Sequence, residues 1–187
     1  MKRKVLLVCI LMFVLVFGNI VFANESTIDD NSIQSADGNI TEEEWKSMVD
    51  SGQIQIIASD SQLLDVYVNQ NGERAVSQIR INVNVGYESA TNSMIIYSNL
   101  YSPNPFDNPQ FTSASGGVTV TGRNLFASDP IAVSQSPKRT LSFSNRIQDS
   151  RFKSGESYTV QVGGRATGYN IVGGSGGFSI TTSARIP

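Results

Sequence analysis

The sequence predicts an all-β protein, an antiparallel β-sandwich preceded by one short helix. Short segments in which apolar and polar residues alternate recur along residues 53–187, and turn residues separate them. One apolar face per strand is typical of antiparallel sheets that bury one side. No stretch of helical periodicity lies between these segments, which disfavours the parallel sheets of βαβ proteins.

Residues 1–23 have the pattern of a secretory signal peptide. The basic stretch Lys2–Lys4 precedes the apolar run Val5–Phe17, and polar residues follow Ala23. This arrangement predicts export and cleavage after Ala23, leaving a secreted, extracellular protein with no integral membrane span. The alternative is a retained anchor, because the apolar stretch is about long enough to cross a bilayer. The break at Gly18–Asn19 favours cleavage.

Residues 24–52 are predicted to form an acidic leader that ends in a short helix at about residues 41–50. Thr41 and Glu44 have the spacing of a capping box, in which each side chain bonds the backbone of the other. Apolar residues follow at helical spacing and would form one stripe: Trp45, Met48 and Val49. This is the one segment for which the pattern favours a helix.

Residues 53–187 form the predicted sandwich domain, with about nine short strands. The longest alternation, Ile79–Val85, places four aliphatic residues on one face. Asn71–Gly72 is the strongest hairpin signal, because both central positions of that turn need positive φ. The other strands are predicted at Ile54–Ile56, Leu64–Asn69, Met94–Tyr97, Val118–Thr121, Ile131–Val133, Leu141–Ser144, Tyr158–Val162 and Phe178–Thr181.

One short segment resembles a feature of immunoglobulin-like sandwiches. Gly155 stands three residues before Tyr158, which Thr159 and Val160 follow. This spacing is similar to that of the corner tyrosine, whose hydroxyl bonds a nearby backbone group. The resemblance implies that the predicted sandwich could have an immunoglobulin-like fold.

The chain contains no histidine, and its only cysteine, Cys9, lies inside the predicted signal peptide. The mature chain would therefore lack imidazole and thiol, which removes most acid–base and nucleophilic mechanisms and most transition-metal sites. Asp37–Glu44 resembles the second half of a calcium-binding loop, but Ile33 occupies the position of its first Asp ligand. We expect no enzymatic activity, no cofactor and no metal site.

Charge is divided unevenly along the chain. From Asn24 to Glu73 there are eleven acidic residues and one basic residue, and from Arg74 to Pro187 there are five acidic and ten basic residues. The asymmetry indicates either an acidic leader that masks the basic half or a face for an anionic surface such as cell-wall polymer. The alternative is ordinary solvated charge. The candidate residues are Lys138, Arg139, Arg146, Arg151, Lys153 and Arg165. Nucleic acid is not expected, because the mature chain is negative overall.

Three aromatic residues surround a proline-rich loop at residues 103–109: Tyr101, Phe106 and Phe111. Aromatic rings in a rigid loop can stack on a sugar or anchor in a partner protein, so these three are candidate ligand-binding residues. The alternative is that the rings turn inward and close one end of the sandwich.

These observations predict a secreted, non-catalytic binding or interaction module that acts outside the cell or at its surface. Its expected partner is a cell-wall polymer, a carbohydrate or another protein. One alternative is a membrane-active or pore-forming β protein, since alternating polar and aliphatic faces suit a strand between lumen and lipid. The strands look too short for that role. Another is a carbohydrate-active enzyme with two carboxylates, although no carboxylate pair stands out.

Overall fold

The computed structural model describes residues 39–70, 72–103, 109–171 and 176–187 of the chain. All of them belong to one compact unit, Ile33–Pro187. They form one helix and eight strands: α1 (Glu42–Asp50), β1 (Gln55–Gln70), β2 (Glu73–Glu88), β3 (Ser93–Tyr101), β4 (Gln110–Gly122), β5 (Leu125–Lys138), β6 (Thr140–Gln148), β7 (Ser157–Tyr169) and β8 (Gly176–Arg185). The predicted signal peptide, its cleavage site, Asp37, Asn71 and Phe106 lie outside the described residues.

The strands form two four-stranded antiparallel sheets, which confirms the predicted all-β sandwich. Sheet one has the order β1-β2-β3-β6, and sheet two has the order β5-β4-β7-β8. The sheets also meet along their edges, where β1 contacts β8 and β5 contacts β6. A single bridge joins Val68 to Ile171 at the first of these edges.

The strand order differs from that of an immunoglobulin-like sandwich. In immunoglobulin domains, the first two strands share a sheet with the fourth and fifth, and the third strand belongs to the opposite sheet. Here the first three strands are neighbours within sheet one. The immunoglobulin-like option is therefore wrong for the topology, although the local tyrosine feature is present.

Tyr158 is buried in the position that its spacing predicts. Its hydroxyl accepts a hydrogen bond from the backbone N–H of Lys153 at 3.0 Å and lies 3.2 Å from the carbonyl of Arg151, to which it donates. The ring also meets Phe152 edge-on at a centroid distance of 5.3 Å. The side chain therefore ties the turn before β7 to the core.

The core lies between the two sheets and consists of the inward-facing residues of every strand. The alternation in β2 is the clearest case, because Ile79, Ile81, Val83 and Val85 are all 0% exposed. Sheet two contributes equivalent residues, among them Val118, Val120, Val160 and Val162. Burying an aliphatic side chain of this size contributes about 1.5–3 kcal/mol, so this double layer is the main source of stability.

The middle strand β3 is buried on both faces, because α1 packs on the outer face of sheet one. Trp45 of the helix stacks on Tyr97 of β3, with ring centroids 5.3 Å apart and planes within 15°. Ile54 and Ile95 complete this second cluster. Gly86 of β2 lies directly beneath the Trp45 ring, where a β-carbon would be only 2.9 Å from it.

The predicted capping box of α1 is present. The backbone N–H of Thr41 donates to Oε2 of Glu44 at 2.8 Å, and the backbone N–H of Glu44 donates to Oγ1 of Thr41 at 3.2 Å. The residues ahead of the cap attach to β6, where the amide of Asn39 accepts from the backbone N–H of Ser144 at 2.7 Å. These bonds fix the direction in which the helix crosses the sheet.

Candidate functional site

The outer face of sheet one carries a polar array next to α1. The residues that alternate with the buried aliphatic residues of β2 point outward, and each lies opposite an outward residue of β3. The register pairs on this face are Asn84 with Tyr97, Asn82 with Asn99, and Arg80 with Tyr101. Amide, phenol and guanidinium groups are therefore aligned along two neighbouring strands.

The helix forms one wall above this array, and two adjoining hollows result. The first has a volume of about 300 Å³, and its lining includes Trp45, Ile56, Asn82, Asn84, Tyr97 and Asn99. The second has a volume of about 420 Å³, and its lining includes Glu42, Asn99, Tyr101, Pro103, Arg139 and Thr140. Glu42 and Asn99 line both hollows, so we treat the two as one feature, the sheet-one groove.

Two polar atoms beneath the floor of the groove are buried and make no standard hydrogen bond to a described residue: the Tyr97 hydroxyl and Oδ1 of Asn99. The Tyr97 side chain is only 3% exposed. Burial raises the pKa of Tyr97, and the nearby Ser142 and Asn99 side chains oppose this shift. Atoms buried this deeply are not open to a ligand, so they lie beneath the surface of the groove.

The charges that line the groove balance. Two acidic and two basic side chains contribute: Glu42, Asp50, Lys46 and Arg139. Glu42 and Lys46 pair on the exposed face of α1, with Nζ and Oε1 2.6 Å apart. The groove therefore favours neither an anionic nor a cationic ligand.

The three candidate aromatic residues do not form one surface. Tyr101 lines the second hollow of the groove and is partly exposed. Phe111 is 0% exposed in the core between the sheets, so its ring turns inward and offers no surface to a ligand. Phe106 lies outside the described residues. Tyr101 is thus the one candidate that the described structure places at the groove.

The six candidate basic residues also do not form one patch. Arg146 pairs with Glu88, and Arg151 binds Asp149 through two bonds, Nε to Oδ1 at 2.9 Å and Nη2 to Oδ2 at 2.7 Å. Arg139 lines the groove. The remaining three are exposed at separate places: Lys138 at the end of β5, Lys153 in the turn before β7, and Arg165 on β7.

Glu88 anchors a small polar cluster at the end of β2. Burial raises its pKa, but hydrogen bonds from Thr91, Gln53 and Arg146 outweigh this effect and hold the pKa below its usual range. At Asp149, the hydrogen bond from the Arg151 side chain is the largest cause of a lowered pKa. Both carboxylates therefore neutralise a nearby arginine, which removes Arg146 and Arg151 as free cations.

Sequence patterns did not identify Asn82, Asn84 and Asn99 as site residues. Asn82 and Asn84 had one signal, the polar face of the alternating segment Ile79–Val85, whereas Asn99 lies beyond the predicted strand Met94–Tyr97. Only the position of α1 turns that face into a groove.

The fold and the groove define an antiparallel β-sandwich with a helix-walled polar site. A scan against models of known protein families finds no match, and neither the curated proteins nor the solved structures yield one. Within the described ranges, no three acidic side chains come together in a way that could hold a metal ion. The same part of the chain has no helix of sufficient length and apolarity to cross a membrane.

Proposed function

We propose that this protein is a secreted, non-catalytic binding module and that its ligand occupies the sheet-one groove. The observation that carries the proposal is the first hollow, beside Trp45 and Ile56, which is lined by the amide side chains of Asn82, Asn84 and Asn99. They lie on rigid central strands, and precise binding sites are usually built on such elements. The volume of the groove is in the range of ordinary ligand sites.

The arrangement of the carboxylates in the groove supports a non-catalytic role. Glu42 and Asp50 are the acidic side chains that line it. Both belong to α1 and therefore to one wall of the groove, with their backbones about 12 Å apart along the helix. Glycoside cleavage needs two carboxyl groups roughly 5–9.5 Å apart on either side of the bond. Glu42 is in addition held by Lys46.

The pore-forming alternative has less support from the fold. Apolar side chains of both sheets face each other across the core, and the outer face of β2 and β3 carries polar side chains except where α1 covers Ile95. A strand that separates lipid from an aqueous lumen needs the opposite arrangement, with its apolar side chains outermost.

Cosedimentation with isolated cell envelopes of the producing organism tests the proposal. The groove variant is Asn82→Ala combined with Asn99→Ala. Its matched control is Thr119→Ala with Gln161→Ala, a register pair on the outer face of sheet two. We expect the wild type and the control to bind equally and the groove variant to bind about 5- to 150-fold more weakly. Each lost hydrogen bond should cost about 0.5–1.5 kcal/mol.

Two results would contradict the proposal. One is a wild-type protein that does not sediment with envelopes at micromolar concentration. The other is equal binding by the groove variant and the control. Turnover of envelope material by the purified wild type, abolished by Glu42→Gln, would show that the protein is an enzyme instead.

A further inference from the structure

The hydrogen-bonding groups on the groove floor suit a ligand rich in hydroxyl groups. An amide side chain has both donors and an acceptor, and a sugar hydroxyl is also donor and acceptor at once. Asn82 and Asn99 lie side by side as a register pair. Asn84 adds a third amide, whose Oδ1 already accepts from Ser59 at 2.8 Å, so its NH₂ group remains to donate.

The groove also offers apolar contact beside these groups. Ile56 is 44% exposed at the edge of the first hollow, and Tyr101 presents part of its ring in the second. Small-molecule sites characteristically combine such apolar walls with a few fixed polar groups. The C–H faces of a pyranose ring fit against aliphatic and aromatic surface, while its hydroxyl groups reach the amides.

The balanced charge argues against an anionic polymer. The two acidic and two basic side chains of the lining leave no excess of either sign. For an anionic chain, the attraction to the basic residues would be offset by the repulsion from Glu42 and Asp50. The ligand that fits is therefore uncharged.

The position of the groove within the sheet argues against an extended peptide. Peptides bind sheets most readily by adding a strand to a free edge, where backbone groups are open. The groove floor is formed by β2 and β3, which are central strands with a neighbour on both sides. Their backbone groups are used within the sheet, so the floor presents side chains and not an edge.

From these four observations we infer that the sheet-one groove binds an uncharged, hydroxyl-rich polysaccharide chain. The inference rests on the proposed function and names the ligand class for the same site. The two hollows join at Glu42 and Asn99, and this continuity suits consecutive sugar units of a chain better than an isolated monosaccharide.

Selective treatment of the envelopes tests the ligand class. Periodate cleaves the vicinal diols of sugars, whereas a protease removes proteins and leaves polysaccharide in place. We expect periodate treatment to reduce wild-type binding at least tenfold and protease treatment to leave it unchanged. Binding should also survive 1 M sodium chloride, since attraction between exposed charges is screened at that ionic strength.

Native gel electrophoresis through soluble polysaccharides gives the second measurement. The probes are dextran, mannan, galactomannan and xyloglucan as neutral polymers, and polygalacturonate as an anionic one. We expect at least one neutral polymer to retard the wild type and the sheet-two control, and the Asn82→Ala, Asn99→Ala variant to migrate without retardation. The emission of Trp45 and the melting temperature of each variant show whether it is folded.

The two proposals fail in different ways. Envelope binding that depends on the groove but is lost to protease, or is lost in 1 M salt, would overturn the polysaccharide assignment and leave the binding function in place. Binding that survives periodate, together with no retardation by any neutral polymer, would also overturn it. Retardation by polygalacturonate alone would likewise overturn the assignment to an uncharged polysaccharide. Absence of groove-dependent binding to untreated envelopes would overturn both.

Discussion

Replacing Gly86 by alanine should loosen α1 from sheet one while the sandwich stays folded. A β-carbon at this position would lie 2.9 Å from Cη2 of Trp45 and 3.2 Å from Cδ1 of Ile54. Ordinary carbon–carbon contacts are about 3.5–4.0 Å long, so the Trp45 ring must withdraw by roughly 0.6–1.1 Å and Ile54 by roughly 0.3–0.8 Å. The Trp45 ring already stacks on Tyr97, which restricts where it can go.

The size of the effect follows from how the helix is held. A tryptophan buries about 150–250 Å², which at about 25 cal/mol per Å² stabilises docking by roughly 4–6 kcal/mol. Ordering the helix opposes this gain, so the net free energy of docking is smaller than the burial figure. Overpacking by one methyl group costs about 1–3 kcal/mol. The undocked population should therefore rise about 5- to 150-fold.

Fluorescence and hydrogen exchange measure this population directly. Trp45 is the only tryptophan in the chain, so its emission should shift to longer wavelength when the helix detaches. The amides of α1 should exchange about 5- to 150-fold faster, since a nine-residue helix is unstable alone. The control is Gly117→Ala, whose β-carbon meets its nearest neighbour, the Asp129 carbonyl, at an ordinary 3.6 Å. Unchanged emission and exchange in Gly86→Ala would refute the reasoning, as would simultaneous melting of the whole sandwich.

Three further predictions concern stability. Tyr158→Phe removes a hydroxyl that bonds two backbone groups. A urea titration should therefore show that the free energy of unfolding falls by about 1–3 kcal/mol. A fall of less than about 0.5 kcal/mol would contradict this role. The pKa of Glu88 is lowered in the folded state. Its contribution to stability is therefore fully present above the usual glutamate range, near about pH 4–5, and is lost as the pH falls through the lowered pKa. Melting temperatures should therefore fall below that range, and Glu88→Gln should be less stable at neutral pH with a shallower acid dependence; equal slopes in the two proteins would argue against it. Because the chain has no histidine, the melting temperature should stay within about 2 °C between pH 6 and pH 8, and a clear transition there would show that another group titrates.

Local sequence signals were sufficient for several elements of the fold. The capping box and the apolar stripe of α1 depend on residues within one or two turns, and both are present. The corner geometry of Tyr158 is also local, since its backbone partners lie five and seven residues away. The strand order is not local, and the immunoglobulin-like option therefore failed even though its tyrosine feature was found.

Strand lengths were underestimated where a strand lies at an edge or where glycine interrupts the alternation. The segments predicted as two strands at Ile54–Ile56 and Leu64–Asn69 fall, apart from Ile54, in the single 16-residue strand β1, whose polar middle is tolerated because β1 is an edge strand. Pro130 is tolerated within β5 because β5 is also an edge strand. Proline has no N–H to donate, and an edge strand has positions whose N–H would not bond to a neighbouring strand. Strand β7 continues through Gly164, where the close approach of β4 requires a glycine. A β-carbon at this position would lie only 2.3 Å from the Ser115 carbonyl oxygen.

The candidate site could not be predicted from the sequence, because it depends on which surface the helix covers. The alternation in β2 shows that Asn82 and Asn84 point away from the core, but many sandwich strands have such a solvent face. What makes this one different is the contact between Trp45 and Tyr97, across more than fifty residues of sequence. Conversely, the basic residues cluster in sequence but separate in space, because neighbouring strands belong to different sheets.

The helix explains why one outer face of the sandwich has a groove. A bare sheet face with Asn, Ser and Tyr side chains would be open to water, and its polar groups would gain little by exchanging water for a ligand. Helix α1 stacks Trp45 on Tyr97, removes that hydroxyl from solvent and forms a wall beside Asn82 and Asn99. Polar groups in a partly dry site have already lost water during folding. The free-energy cost of desolvating them when a ligand binds is therefore smaller. The described part of the acidic segment, residues 39–52, therefore belongs to the proposed site.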